Sequence, residues 1–191
     1  MRRRLLQLSL GLLLVPLLAA GAAPDVKIEP RGSGYAIRVE SDINADAGIS
    51  WQVITDYNHL ADFVPDMRAS RIISAAGQPL QIEQTGKAGF LIFRFTLDVV
   101  LEIEETPPLK LTFRAIRGNM RHMRGEWRID KSTQGIRLVY AAELEPSFWV
   151  PPLIGPAVLR NDISNQVAGV VREIERRQAA FPSPQKSTPE K

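Results

Sequence analysis

Along residues 91–104 apolar and polar side chains alternate with almost no break. Leu91, Phe93, Phe95, Leu97, Val99, Leu101 and Ile103 share one face, while Arg94, Thr96, Asp98, Glu102 and Glu104, joined by Val100, take the other. A period of two sustained this long predicts an extended antiparallel strand with one side buried. Shorter alternations at Val26–Glu29 and Tyr35–Val39 flank Arg31-Gly32-Ser33-Gly34 and predict a hairpin. Asp46 stands where an N-cap belongs, ahead of a helix from Ala47 with Ile49, Val53 and Ile54 on one side. Tyr57-Asn58 ends that helix, and His59 to Val64 reads as a second short helix closed by Pro65. Further strands are predicted at Arg71–Ala75, Leu80–Gln84, Leu109–Arg117, Met120–Ile129 and Ile136–Leu144. Their junctions at Gly77-Gln78-Pro79, Pro107-Pro108, Gly118-Asn119 and Gln134-Gly135 carry turn chemistry. Beyond Pro151-Pro152 the period lengthens to about 3.6. There Leu159, Ile163, Val167, Val170, Val171 and Ile174 form one stripe on a helix reaching about Arg177.

Strands, two short helices, more strands and a long last helix predict an α+β fold: a curled antiparallel sheet around a C-terminal helix. A sheet so curled leaves a hollow against its helix, and such hollows are ligand sites. The ends of the chain belong to neither element. Met1-Arg2-Arg3-Arg4, the apolar run Leu5–Ala20 and the small residues Ala20-Gly21-Ala22 are expected to form a signal peptide over residues 1–22. The apolar run is shorter than the roughly 20 residues of a membrane span, and Pro16 interrupts it. Residues 23–181 then form one ligand-binding domain, and the polar, Pro-rich residues 182–191 a disordered tail. The expected location is outside the cytoplasm, in a periplasm.

This division changes the meaning of the charge. The 191-residue chain carries 24 Lys and Arg against 21 Asp and Glu. Arg2, Arg3 and Arg4 supply the whole excess, so residues 23–191 have no net charge. Nucleic-acid binding through bulk charge loses its support. The absence of cysteine excludes disulfides, thiolate nucleophiles and Cys-ligated metals.

The remaining chemistry is sparse. His59 and His122 lie in different elements without a metal-ligand spacing around them, and no cofactor is expected. Gly32-Ser33-Gly34 sits in a hairpin turn and is no nucleophile elbow. Arg114, Arg117, Arg121, Arg124 and Arg128 crowd two adjacent strands. They suit cross-strand pairing with Asp98, Glu102, Glu104 and Glu126, a transient contact with an anionic membrane surface, or the holding of a ligand carboxylate by one Arg. Counting by two from Trp127 places Arg121 on the inner face with Met123. Phe93, Phe95, Phe113, Met123, Trp127 and Tyr140 are also expected to point inward, opposite Leu159, Ile163 and Gln166 of the last helix. Phe63, Phe148 and Trp149 fall in connections suited to a lid.

Three stretches resemble the START-like, helix-grip superfamily, in particular its polyketide cyclase/dehydrase and coenzyme Q-binding branch. They are Ser50-Trp51-Gln52-Val53-Ile54-Thr55-Asp56-Tyr57 running on to Leu60-Ala61-Asp62-Phe63-Val64-Pro65, then Gly118–Ile129 with Trp127 near its end, then Phe148-Trp149-Val150-Pro151-Pro152. The resemblance spans roughly residues 34–178. It implies a helix-grip fold that holds a hydrophobic small molecule between sheet and helix, and it transfers no catalytic residue. A lipocalin-type barrel is the competing fold, but it lacks the two intervening helices and needs an early Gly-x-Trp. The leading expectation is an exported carrier of a lipid, quinone or polyketide-like ligand. A cyclase/dehydratase acting in the same cavity, and an interaction module using the Arg-rich face, are the alternatives.

Overall fold

A computed structural model describes residues 24–90, 93–148 and 155–181. The expected signal peptide over residues 1–22, the expected disordered tail over residues 182–191 and Trp149 lie outside the described residues. The Arg31–Gly34 turn joins β1 (Asp25–Arg31) to β2 (Gly34–Ile43), as the flanking alternation predicts. Asp46 caps α1 (Ala47–Ile54) from its expected place, its carboxylate accepting from the N–H of Gly48 at 2.7 Å and of Ile49 at 3.4 Å. After Tyr57-Asn58 the chain makes one more turn of helix, α2 (Leu60–Phe63).

The strands then follow as β3 (Met67–Ile72), β4 (Leu80–Phe90), β5 (Phe93–Thr106), β6 (Lys110–Gly118), β7 (Met120–Ser132) and β8 (Gly135–Pro146). All eight strands make one antiparallel sheet in the order β1-β2-β8-β7-β6-β5-β4-β3. The segment α1–α2 carries the chain from one side of the sheet to its far edge. The long helix α3 (Gly155–Ala180) lies in the curl, and its stripe Ile163, Val167, Val170, Val171 and Ile174 is buried against the inner face. The fold is the α+β helix-grip arrangement.

Two strand boundaries differ from the expectation, for one physical reason. β3 runs from Met67 to Ile72 rather than from Arg71 to Ala75, and β4 continues past Gln84 to Phe90. Both carry polar residues on their inner face: Ser70 is buried, and Gln84 reaches it with an Nε2···Oγ distance of 3.4 Å. Period-two reading of apolar residues passes over a strand whose inner face is hydrogen-bonded rather than apolar. Asp66 starts β3 with a left-handed φ of 62°, and its carbonyl accepts the Lys87 N–H at 2.8 Å.

The core contains one polar irregularity. Ser41 of β2 is buried, and its Oγ has no hydrogen-bond partner among the described residues. A buried, unpaired hydroxyl costs about 1–3 kcal/mol. Ser41→Ala is therefore expected to raise stability by about 1 kcal/mol in urea unfolding. A loss of stability in that variant would show that the hydroxyl is paired in solution.

Candidate functional site

Between the inner face of the sheet and α3 the packing leaves a cavity of about 140 Å³. Four groups of elements build it. From the crossing segment come Ile54, Tyr57, Leu60 and Val64, and from α3 Ile163, Gln166, Val167 and Val170. From β4 and β5 come Ile82, Gln84, Leu97, Leu101 and Ile103. Leu111, Phe113, Met123, Trp127 and Tyr140 of β6, β7 and β8 form the remaining wall. Exposed Asp66, with Met67, Thr85 and Lys87, marks the outer end. The interior is thus aliphatic and aromatic with a few polar tips, the composition typical of small-molecule sites.

The aromatic wall is ordered by ring contacts. Tyr140 packs against Trp127 at 4.8 Å between centroids with a 52° tilt, and lies nearly parallel to Phe113 at 6.0 Å. Gly125 allows this: a Cβ there would come within 2.6 Å of the Phe113 ring and 2.3 Å of the Ala141 carbonyl. Burial pushes the Tyr140 hydroxyl above its ordinary range. Burial does the same to Tyr57, and its Oη donates to Glu105 Oε1 at 2.6 Å, which raises it further. Both phenols stay protonated at neutral pH.

Of the residues expected to bind ligand, the structure brings Phe113, Met123, Trp127, Tyr140, Ile163 and Gln166 together around this cavity. Others stand elsewhere. Leu159 packs half-buried against the core without lining the cavity, as does Phe63, whose ring lies under the Arg177 guanidinium at 5.9 Å. Phe95 stacks on Phe148 at 4.6 Å, and Phe148 borders a separate outer recess beside Tyr35, Pro146 and Pro156. The side chain of Phe93, like Trp149, lies outside the described residues.

Arg121 requires a correction. It is not on the inner face: its side chain is 62% exposed and bonds Glu145 at 2.6 Å. The pairing of β7 with β8 shifts between Met120 and His122, and that bulge turns Arg121 outward while Met120 and Met123 pack on the core. Arg114 and Arg124 pair across strands as expected, while Arg128 pairs along its own strand. Arg114 meets Glu102 at 2.5 Å, Arg124 meets Glu143 at 2.8 Å, and Arg128 bridges Glu126 and Asp130. Glu143, Glu145 and Asp130 are partners that sequence reading did not name.

Reading by pattern also missed Tyr57, Gln84 and Leu97 as cavity residues. For Gln84 a signal exists, since it stands two positions from Ile82 and shares its face. Tyr57 had only a role as helix breaker.

A second cluster joins the crossing segment to α3. Arg177 reaches Asp56 and Glu173, each at 2.7 Å, Arg176 also bonds Glu173, and His59 Nδ1 lies 2.6 Å from Asp56. Hydrogen bonds from Arg176, opposed by burial and aided by Arg177, hold the Glu173 carboxyl down at about 2. Burial alone would raise Asp56, but the bonds from His59 and Arg177 together keep it below its usual value. Gln178 adds a neutral tie, accepting the Asp46 N–H at 2.7 Å. This clasp fixes the segment that walls one side of the cavity.

Comparison with solved structures supports the same architecture. An aromatase/cyclase from Streptomyces sp. R1128 aligns with a TM-score of 0.60 at 18% identity, over 78% of this chain and 98% of that one. A STAR-related lipid transfer protein from Xanthomonas axonopodis aligns with a TM-score of 0.60 at 12% identity, over 81% and 99%. A START superfamily protein from Mycobacterium smegmatis gives 0.62 at 12% identity, over 76% and 99%. At such identities these likenesses show the START-like fold alone. No curated protein gives a match. The sequence profile of the family described as "Polyketide cyclase / dehydrase and lipid transport" matches residues 43–171, more than half of the chain. That span runs from the end of β2 through most of α3 and so includes every cavity-lining residue named above. The chain belongs to this polyketide cyclase/dehydrase and lipid transport family, within the START-like superfamily.

Proposed function

We propose that this protein binds and carries a hydrophobic small molecule in the cavity between sheet and α3, outside the cytoplasm, after export directed by residues 1–22. The observation that carries the reading is the cavity itself, lined mainly by apolar side chains from sheet, crossing segment and α3 and open at its Asp66 end. Transfer of an apolar ligand from water into such a space is favourable by roughly 25 cal/mol per Å² of surface removed. In this reading the crossing segment is the gate, and admitting a ligand requires release of the Arg177 clasp that fixes it.

Binding is better supported than acid–base catalysis on the same site. A general acid or base works best with a pKa near the operating pH. Among the described residues, the ionisable groups lining the cavity are Tyr57, Asp66, Lys87 and Tyr140. The two tyrosines are shifted upward, away from neutrality, and Asp66 sits exposed at the outer end.

Native mass spectrometry and organic extraction of protein produced from the full-length chain test the carrier reading. A co-purifying apolar compound is the expected result. Met123→Trp, which fills the cavity from its β7 wall, is expected to fold and to lose that compound. Retention of the same compound by the filled variant would move the binding site elsewhere. Cell fractionation with intact-mass measurement tests the export proposal, for which the expected product begins at Ala23.

A further inference from the structure

The polar groups that line the cavity differ in what they bond. Tyr57 bonds Glu105, and Gln84 bonds Ser70. The Tyr140 side chain is 8% exposed and lines the cavity, yet its hydroxyl bonds no described residue. Buried hydroxyls are nearly always paired, and among the described residues this one, on the cavity wall, has no partner. Around it stand the rings of Trp127 and Phe113, at 4.8 Å and 6.0 Å from the Tyr140 centroid. Gln166 of α3 contributes a half-buried amide to the same space.

Size and charge narrow the partner further. The cavity measures about 140 Å³. An apolar cavity of about 150 Å³ holds one benzene molecule. A fused ring system or a long acyl chain exceeds it. Among the described residues its charged lining is Asp66 and Lys87, of opposite sign and at the outer end, so these offer a carboxylate in the interior no counter-charge.

We infer that the cavity selects an uncharged, single-ring aromatic ligand bearing an oxygen substituent on the ring, with Tyr140 as its hydrogen-bonding anchor and Trp127 and Phe113 as the walls against its ring. This inference rests on the ligand-binding reading above and gives it a substrate class. A phenol hydroxyl and an aryl ether oxygen share the required chemistry, since each can accept from Tyr140. The apolar contacts hold the ring, and the hydrogen bond sets the preference. Because burial keeps the Tyr140 hydroxyl protonated, it remains a donor at neutral and mildly alkaline pH.

Calorimetric titration of protein from the full-length chain with p-cresol, toluene, benzoate, 2-naphthol and oleate tests this. p-Cresol is expected to bind about tenfold tighter than toluene, the worth of one good hydrogen bond. Benzoate, 2-naphthol and oleate are expected to bind more weakly than p-cresol. In Tyr140→Phe the p-cresol preference should vanish while toluene affinity stays unchanged, which also reports that the variant folds. Equal binding of p-cresol and toluene by the wild type, or a preference that survives in Tyr140→Phe, overturns the anchor role. Should the variant not fold, nuclear Overhauser contacts between p-cresol and the Tyr140 and Trp127 rings in the wild type decide, and their absence counts against the anchor. Tight binding of oleate or 2-naphthol that Met123→Trp abolishes, without p-cresol binding, overturns the single-ring class and leaves the carrier reading standing. If no probe binds, both fall.

Discussion

Gly169→Leu is expected to lower the stability of the fold by about 3 kcal/mol and to displace the short helix that walls the cavity. Gly169 lies on the buried side of α3, where the chain at α2 and Pro65 presses on it. A Cβ at this position would come within 2.5 Å of the Phe63 carbonyl oxygen and within 2.5 Å of Pro65 Cδ. Neither neighbour is the flexible end of a side chain, so the backbone of the crossing segment must yield. Even Gly169→Ala should destabilise, by about 1–2 kcal/mol. That sign opposes local preference, because alanine gains about 1 kcal/mol over glycine inside a helix. Urea unfolding measures the energy. Amide exchange at Val64, whose N–H donates to the Leu60 carbonyl at 2.8 Å, reports the opening of α2. An alanine variant more stable than wild type would mean that α2 does not rest on α3 in solution.

The second large effect belongs to Glu173. Its carboxylate is nine-tenths buried and takes bonds from Arg176 and Arg177, and Arg177 passes the link on to Asp56. Glu173→Gln keeps the shape, removes the charge and leaves Arg177 partly uncompensated. It is expected to cost about 2–3 kcal/mol at pH 7, below the full 3–5 kcal/mol of a wholly buried pair because Arg176 is exposed. The pH dependence follows from the direction of the shift. Glu173 titrates at about 2 in the folded protein against 4.5 for an unperturbed glutamate, so the unfolded chain takes up its proton first as pH falls. The stabilisation is complete above pH 4.5 and disappears on the way down to 2. Wild type and variant should therefore differ fully at neutral pH and converge in acid, as denaturant midpoints across this range will show. A constant difference down to the lowest pH would assign the loss to packing rather than charge.

The two effects bear on the same mechanical question. Gly169 lets the crossing segment approach α3, and the Glu173–Arg177–Asp56 clasp holds it there. One acts by removing bulk and the other by adding charge, so the two variants separate closeness from tethering. Either loosening is expected to enlarge access to the cavity beside Leu60 and Val64, which line it.

Much of this protein can be read in one dimension. Alternation along Leu97, Val99, Leu101 and Ile103 marks the inner face of β5, because successive side chains of a strand point to opposite sides. Asp46 announces α1 because the orphan N–H groups of a helix start need a short polar acceptor. The stripe on α3 from Ile163 to Ile174 names the face that meets the sheet. With these come the fold class and half of the cavity wall, from Phe113 and Trp127 to Gln166. The neutrality of residues 23–191 is likewise a matter of composition.

Three features needed the folded chain. Arg121 faces outward because a bulge near Met120 breaks the count by two, and a bulge is set by pairing with β8 rather than by residues on β7 alone. Gln84 and Ser70 form strand interiors by satisfying each other across two strands, which no pattern of apolar residues records. The volume of the cavity depends on how strongly the sheet curls and how closely α3 and the crossing segment approach it. Those distances rest on contacts between residues far apart in sequence, such as Gly169 with Phe63 and Arg177 with Asp56. Periodicity tells each element which side to bury, but the space left between buried sides is a property of their packing together.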